Sequence, residues 1–239
     1  LQRVFSESGM AAANTLSYDS EILFVTDCEM TGLDVNKHRL LEIYIQVTNN
    51  HLEPLESLHI VLTCPKKELD DMDDWCKLNH GLRSQKNGLM TSSLLDDVGH
   101  STITLEQAQV KILSLIDKYT KHAVMLAGCS VYNDRAFLIQ GMPKLKDRIH
   151  YRVFDFSSLK EASSRFGIPL KIRKFRSNHR AKNDVEASIH LAKSCQNQLF
   201  QSPQPQSTDR NHNTPSPPQQ CTSPAKTPPK FPYYGMHRQ

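Results

Sequence analysis

The chain has 239 residues, with 29 Lys and Arg against 25 Asp and Glu, and contains six cysteines and thirteen prolines. No apolar stretch approaches the ~20 residues that span a bilayer, which excludes a helical membrane protein. Cys28, Cys64, Cys76, Cys129, Cys195 and Cys221 form neither a C-x-x-C pair nor a dense framework, which excludes a zinc cluster or disulfide scaffold and points to a reducing, intracellular setting.

The formal charge of +4 is concentrated at the C-terminal end. There Arg210, Lys226, Lys230 and Arg238 face only Asp209, leaving about +1 for residues 1–200 and no broad phosphate-tracking surface. A nucleic acid handled by this domain is expected to be short.

Residues 1–20 begin at Leu1, as expected of a fragment or processed chain, and read as a flexible segment. Arg3 is their only basic residue, a poor composition for a transit peptide, and the sequence leaves mitochondrial and cytoplasmic compartments both open. Residues 21–200 read as one domain. Three strands are expected first, over Ile22–Asp27, Arg39–Thr48 and Leu55–Thr63, the last two joined by turn-forming Asn49-Asn50-His51. A short helix follows over Asp70–Asn79, carrying Met72, Trp75 and Cys76. A clearer one spans Thr104–Tyr119, with Thr104 as cap and Ala108, Ile112, Leu113 and Ile116 on one side. Ala123–Ala127 reads as a fourth strand ended by Gly128, and Ser130 as the cap of a helix through Gln140. A fifth strand over Arg152–Phe156, a helix over Ser157–Phe166 and a last helix from near Asn183 to Phe200 complete the domain. The pattern predicts an α/β fold, a mixed sheet with helices on its faces. From Ser202 the chain holds nine of the thirteen prolines among Gln, Ser, Thr and Asn, so residues 201–239 are expected to be a disordered tail.

Asp27 and Glu29 close the first strand. Residues two apart on a strand point to the same side, so the two carboxylates converge. Unpaired, they repel and resist burial; a hard divalent cation, magnesium or manganese, resolves the conflict. Asp134 sits one turn into the helix after the fourth strand, and Asp184 opens the last helix five residues after His179. On a regular helix that spacing leaves the two side chains ~140° apart. His179 and Asp184 therefore share a site only if His179 lies on the preceding loop or in a distorted first turn; Arg173-Lys174-Phe175-Arg176-Ser177-Asn178 reads as loop, which makes the first arrangement feasible. Singly, each residue has a plainer explanation: a surface helix acid, a helix-dipole acid, a loop histidine.

Together, Asp27-x-Glu29, Asp134 and His179-x4-Asp184 resemble the DEDDh class of 3′-to-5′ exonucleases, whose fold is ribonuclease H-like with a mixed five-stranded sheet flanked by helices. Within that class the chain is similar to the oligoribonucleases. The motifs are Asp27-Cys28-Glu29-Met30-Thr31-Gly32-Leu33, Asp73-Asp74-Trp75, Gly128-x-Ser130-Val131 with Asp134, His150-Tyr151-Arg152, and His179-Arg180-Ala181. They run in order across residues 22–200.

The resemblance implies a 3′-to-5′ exoribonuclease of short single-stranded RNA. Asp27, Glu29, Asp134 and Asp184 would hold two magnesium or manganese ions, and His179 would act as general base. It also implies base contacts by Leu33 and Trp75, contacts from His80, Ser130, Arg152 and Ser157 to the phosphate end of a dinucleotide, and a homodimer in which Tyr151 reaches the partner's site. Trp75 is alternatively a core residue and Ser130 merely a cap. The chain departs from the family at Cys28, Asn87, Tyr132-Asn133 and Asn183, none of which removes an implied metal ligand. Two other readings compete: an exonuclease trimming longer DNA or RNA, and a weakly active relative that binds an unknown partner through its proline-rich tail.

Overall fold

β1, Ile22–Met30, is the central strand of a five-stranded sheet ordered β3-β2-β1-β6-β7 in a computed structural model of the protein. The structure describes residues 21–81, 93–172 and 179–200, together with the backbone of 85–86 and 89–90. The expected flexible N-terminus, the loop over 173–178, Asn87 and the proline-rich tail lie outside the described residues.

β2 (Leu40–Asn49) runs antiparallel to β1 and to β3 (Pro54–Val61). α1 (Lys66–Asp70) and α2 (Asp74–Gly81) follow, then the two-residue strands β4 (Gln85–Lys86) and β5 (Leu89–Met90), α3 (Leu94–His100) and α4 (Leu105–Tyr119). β6 (Val124–Gly128) returns parallel to β1, and β7 (Ile149–Asp155) parallel to β6. α5 (Tyr132–Gly141) lies between them; α6 (Phe156–Arg165) and α7 (Ala181–Leu199) close the domain.

Side-chain alternation along β1 divides the core. Phe24, Cys28 and Met30 join Ala108, Ile112 and Ile116 of α4 and Phe137 and Leu138 of α5. Leu23 and Val25 join Phe156 of α6 and Ala181, Val185 and Ala192 of α7. The buried positions of α7 (Ala181, Val185, Ser188, Ala192 and Cys195) recur every three or four residues. Most are small, so the helix axis comes close to the sheet. Asp27 and Glu29 have the parity of Val25 and face the α7 side.

Local details differ from the sequence expectation for physical reasons. The helix expected over Asp70–Asn79 is two helices, interrupted where the Asp73 carboxylate accepts the Cys76 N–H at 2.7 Å. Thr104 caps α4 as expected, in a reciprocal capping box with Gln107. Ser130 does not cap α5, which starts at Tyr132 without a side-chain cap. The fifth strand is earlier than its expected Arg152–Phe156 span, because Asp155 caps α6 through Ser157 and turns Phe156 into the core.

Candidate active site

The pairing of β1 with β6 involves Phe24 and Val25 and stops there, because β6 turns away at Gly128. Gly128 has φ 152°, and a Cβ on it would lie 2.6 Å from the Thr26 carbonyl oxygen. Only glycine permits that approach. The edge of β1 beyond Thr26 is thereby open, and Asp134 of α5 occupies it: the Cys28 N–H donates to Asp134 Oδ1 at 2.7 Å. A buried side chain, 5 % exposed, is thus fixed between Asp27 and Glu29.

From the other side, α7 brings Asp184 in its first turn, and the loop before it brings His179. His179 precedes the helix, one of the two arrangements that the angular argument from the sequence allowed. Ligand atoms of Glu29, His179 and Asp184 all lie within 4.8 Å of one another, a group suited to one metal ion. The carboxylates are crowded and dry. Asp27 is pushed up to about 10, first by burial and then by Asp134, Glu29 and Asp184. Glu29 is pushed up to about 8, by burial and then chiefly by Asp184 and Glu42. Asp134 rises to about 7 through burial, tempered by the Cys28 N–H. Such a cluster holds protons until a cation replaces them. Oxygen donors with one imidazole suit a hard divalent ion.

An open cleft of ≈ 1000 Å³ contains this group. Asp27, Cys28 and Glu29 form its floor. Asp184, Ala187, Ser188 and Leu191 of α7 form one wall, and Trp75 stands at the rim. Trp75 is 57 % exposed, so it is not a core residue, and its ring meets His179 edge to face at 5.0 Å. Ser130, Cys129 and Lys160 also line it.

Of the residues singled out in the sequence, Asp27, Glu29, Trp75, Ser130, His179 and Asp184 share the cleft, with Asp134 buried beside it. The others do not line it. Leu33 projects freely, 77 % exposed. Tyr151 and Arg152 are both exposed on the edge strand β7, the guanidinium 5.3 Å from the tyrosine ring. Two residues expected to contact phosphate have protein partners. His80 is 2 % exposed, its Nε2 2.9 Å from the Met30 carbonyl oxygen and its Nδ1 3.8 Å from Glu29, so it lies behind the metal group. The Ser157 hydroxyl donates its proton to Asp155 at 2.6 Å, and Asp155 also accepts the Ser130 N–H at 3.1 Å. Ser157 therefore joins Ser130 on Asp155 instead of offering a free donor.

Sequence reasoning missed Lys160, Leu170 and Ile172 as cleft residues, and missed Glu42 and Arg180 behind it. One signal for Glu42 was present. A carboxylate in the otherwise apolar Leu40-Leu41-Glu42-Ile43 requires a buried partner.

A mixed sheet with this connection order, carrying an acid-rich cleft at the end of its central strand with a histidine on the rim, defines an exonuclease of the ribonuclease H-like class. Residues 24–192 match the RNase_T family, described as Exonuclease. The solved structure of Escherichia coli exonuclease I with single-stranded DNA in its zinc-bound form superposes with a TM-score of 0.58. It is 13 % identical and covers 76 % of this chain but only 41 % of that one, a likeness of fold.

Sequence relatives are nearer. A probable oligoribonuclease of Dictyostelium discoideum is 36 % identical over 73 % of this chain and 88 % of that protein. The mitochondrial oligoribonuclease of Homo sapiens is 36 % identical over 81 % and 79 %, and the oligoribonuclease of Paracidovorax citrulli 40 % identical over 71 % and 86 %. The chain belongs to the oligoribonuclease family of exonucleases. Among the described residues no helix is long and apolar enough to cross a membrane.

Proposed function

We propose that this protein hydrolyses short single-stranded oligoribonucleotides from the 3′ end to 5′-mononucleotides. The observation that carries the reading is the convergence of Asp27, Glu29, Asp184 and His179 in one cleft, with Asp134 pinned beside them. The oligoribonuclease relatives support the substrate class.

Asp27, Glu29, Asp134 and Asp184 would hold two magnesium or manganese ions. When bound, such a pair stabilises the charge on the attacking and leaving oxygens of an in-line displacement. His179 takes a proton from the attacking water as its oxygen bonds to phosphorus. The bond from phosphorus to the 3′ oxygen breaks, that oxygen takes a proton from solvent to become the 3′ hydroxyl of the shortened strand, and His179 returns its proton to solvent. The cleaved phosphate stays on the released 5′-mononucleotide.

Trp75 offers a face for a base without reading its identity, and exposed Leu33 is suited to wedge beside it. Ser130 and Lys160 supply a hydroxyl and a cation to the cleft lining, suited to the phosphate end of a short strand. Arg152 and Tyr151 are exposed and outside their own cleft. A homodimer in which each chain presents Tyr151 to the other's cleft accounts for that placement. The five cysteines among the described residues are all free, and relatives are named mitochondrial; an intracellular setting, mitochondrial or cytoplasmic, fits both.

The test is digestion of end-labelled RNAs of two, five and twenty nucleotides, with magnesium, manganese or chelator. Metal-dependent loss of the dinucleotide with the twenty-mer nearly intact is expected. Equal cleavage of the twenty-mer would make the protein a general exonuclease. No cleavage in either metal would overturn the reading and favour binding through the tail.

A further inference from the structure

Glu42 is a fully buried charge on β2, directly across from Glu29 in the strand register. Its carboxylate gathers donors from three directions. Arg180 gives Nη2 and Nε to Oε1 at 2.9 and 3.1 Å, and the Ala181 N–H gives to Oε2 at 3.0 Å. His59 Nε2 lies 2.6 Å from Oε1. The Arg180 Nη2 also reaches Asp97 of α3 at 2.8 Å. A buried ion pair of this kind adds little net stability, because desolvation of both charges offsets their attraction. What a forked, multiply bonded pair supplies is direction.

The direction matters because of what flanks it. His179, the preceding residue, has φ 52°, in the left-handed region that residues with a Cβ avoid. Immediately after it, the Arg180 side chain and the Ala181 N–H both end on Glu42. The Arg180 carbonyl in turn accepts the Asp184 N–H at 3.2 Å, linking the clamp to the first turn of α7.

We propose that Arg180 and Glu42 are positioning residues that fix the His179 imidazole and the Asp184 carboxylate relative to Glu29, an inference that rests on the exoribonuclease reading of the cleft. The clamp needs the guanidinium fork. A lysine at 180 keeps the charge and loses the paired bonds.

Trp75 is the only tryptophan in the chain, and its ring lies against His179. Its emission reports where His179 sits, with or without turnover. The experiment compares the full chain with Arg180→Lys, using His179→Ala as the reference for a vacated site. Arg180→Lys is expected to lower kcat on a dinucleotide ~10–100-fold, as loss of a supporting partner does, with KM within about threefold. Its Tm is expected to stay within about 3 °C of wild type, and Trp75 emission to move toward that of His179→Ala. A kcat within about twofold of wild type, or emission unchanged from wild type, overturns the proposal. If Arg180→Lys folds poorly, Glu42→Gln is measured against the same criteria. Absence of RNA cleavage by the wild type would sink the exoribonuclease reading alone, since the emission comparison still decides the clamp.

Discussion

The backbone N–H of Cys28 donates to the Asp134 carboxylate at 2.7 Å, joining residues 106 apart in the chain. This bond ties a third acid to the backbone between two that β1 already presents on one side, and it exists because Gly128 turns β6 away and leaves the β1 edge open. Asp134 is thus oriented by the strand that carries its neighbours.

Asp134→Asn keeps an acceptor for the Cys28 N–H and removes the charge. Cleavage is expected to fall by more than the ~10–100-fold typical of an outer partner. Without metal, Tm should hold or rise, because a buried like charge is gone; the rise in Tm on adding magnesium should shrink. Steady-state kinetics and calorimetry check this, and near-wild-type cleavage would remove Asp134 from the reaction centre.

The carboxylate cluster makes stability depend on pH in an unusual direction. Asp27 is pushed up to about 10, Glu29 to about 8 and Asp134 to about 7. Between the ordinary carboxylate range and these values the folded state binds more protons than the unfolded one, so metal-free stability falls as pH rises. Carboxylates shifted downward, such as Asp34 and Asp73, act below that window; burial holds the His80 imidazole below its ordinary value, so this one group works the other way near pH 6, against three raised carboxylates. Metal-free Tm should therefore be higher at pH 5.5 than at pH 8, and magnesium should stabilise more at pH 8, where it displaces fewer protons. A metal-free Tm that climbs from pH 5.5 to 8 would contradict the buried cluster.

Trp75→Ala removes a largely exposed ring, so the fold should be unaffected while a base loses its stacking surface. Stacking of this kind is worth ~1–3 kcal/mol per base, which predicts about a 5- to 150-fold rise in KM for a dinucleotide with a smaller change in kcat. Titration of wild-type Trp75 emission with a non-hydrolysable dinucleotide gives a second reading of the same contact. An unchanged KM would return Trp75 to a purely structural part.

Cys28 stands between the two acids, yet its thiol packs into the opposite core with Phe24 and Met30. Burial, then Asp134 and Asp27, holds that thiol well above its usual range. Thiolate, not thiol, is the reactive form. Cys28 should stay unmodified by iodoacetamide at pH 8 while Cys129, half-buried in the same cleft, labels ahead of it. Peptide mass spectrometry decides; early labelling of Cys28 would mean that the strand opens or the thiol faces the cleft.

Much of the site is written locally. Strand alternation alone puts Asp27 and Glu29 on one side, and the five-residue spacing shows that His179 and Asp184 can share a site only with the histidine on the preceding loop or in a distorted first turn; it is found before the helix. The order of strands and helices follows from short apolar runs, turn residues and the Thr104 cap, because neighbours in sequence control those choices. Their boundaries shift where a side chain reaches back to the backbone, as Asp155 does at the start of α6.

Which distant side chains meet was decided only by the tertiary structure. Asp134 reaches β1 because β6 lies parallel to it and turns at Gly128. Glu42 meets Arg180 because α7 packs on the side of β2 that Glu42 faces. Trp75 is exposed at the rim, whereas His80, five residues later on the same helix, is buried behind Glu29. Period and propensity describe a residue's own element; burial, partners and proton affinity depend on what topology brings against it, and that information is spread over the whole chain.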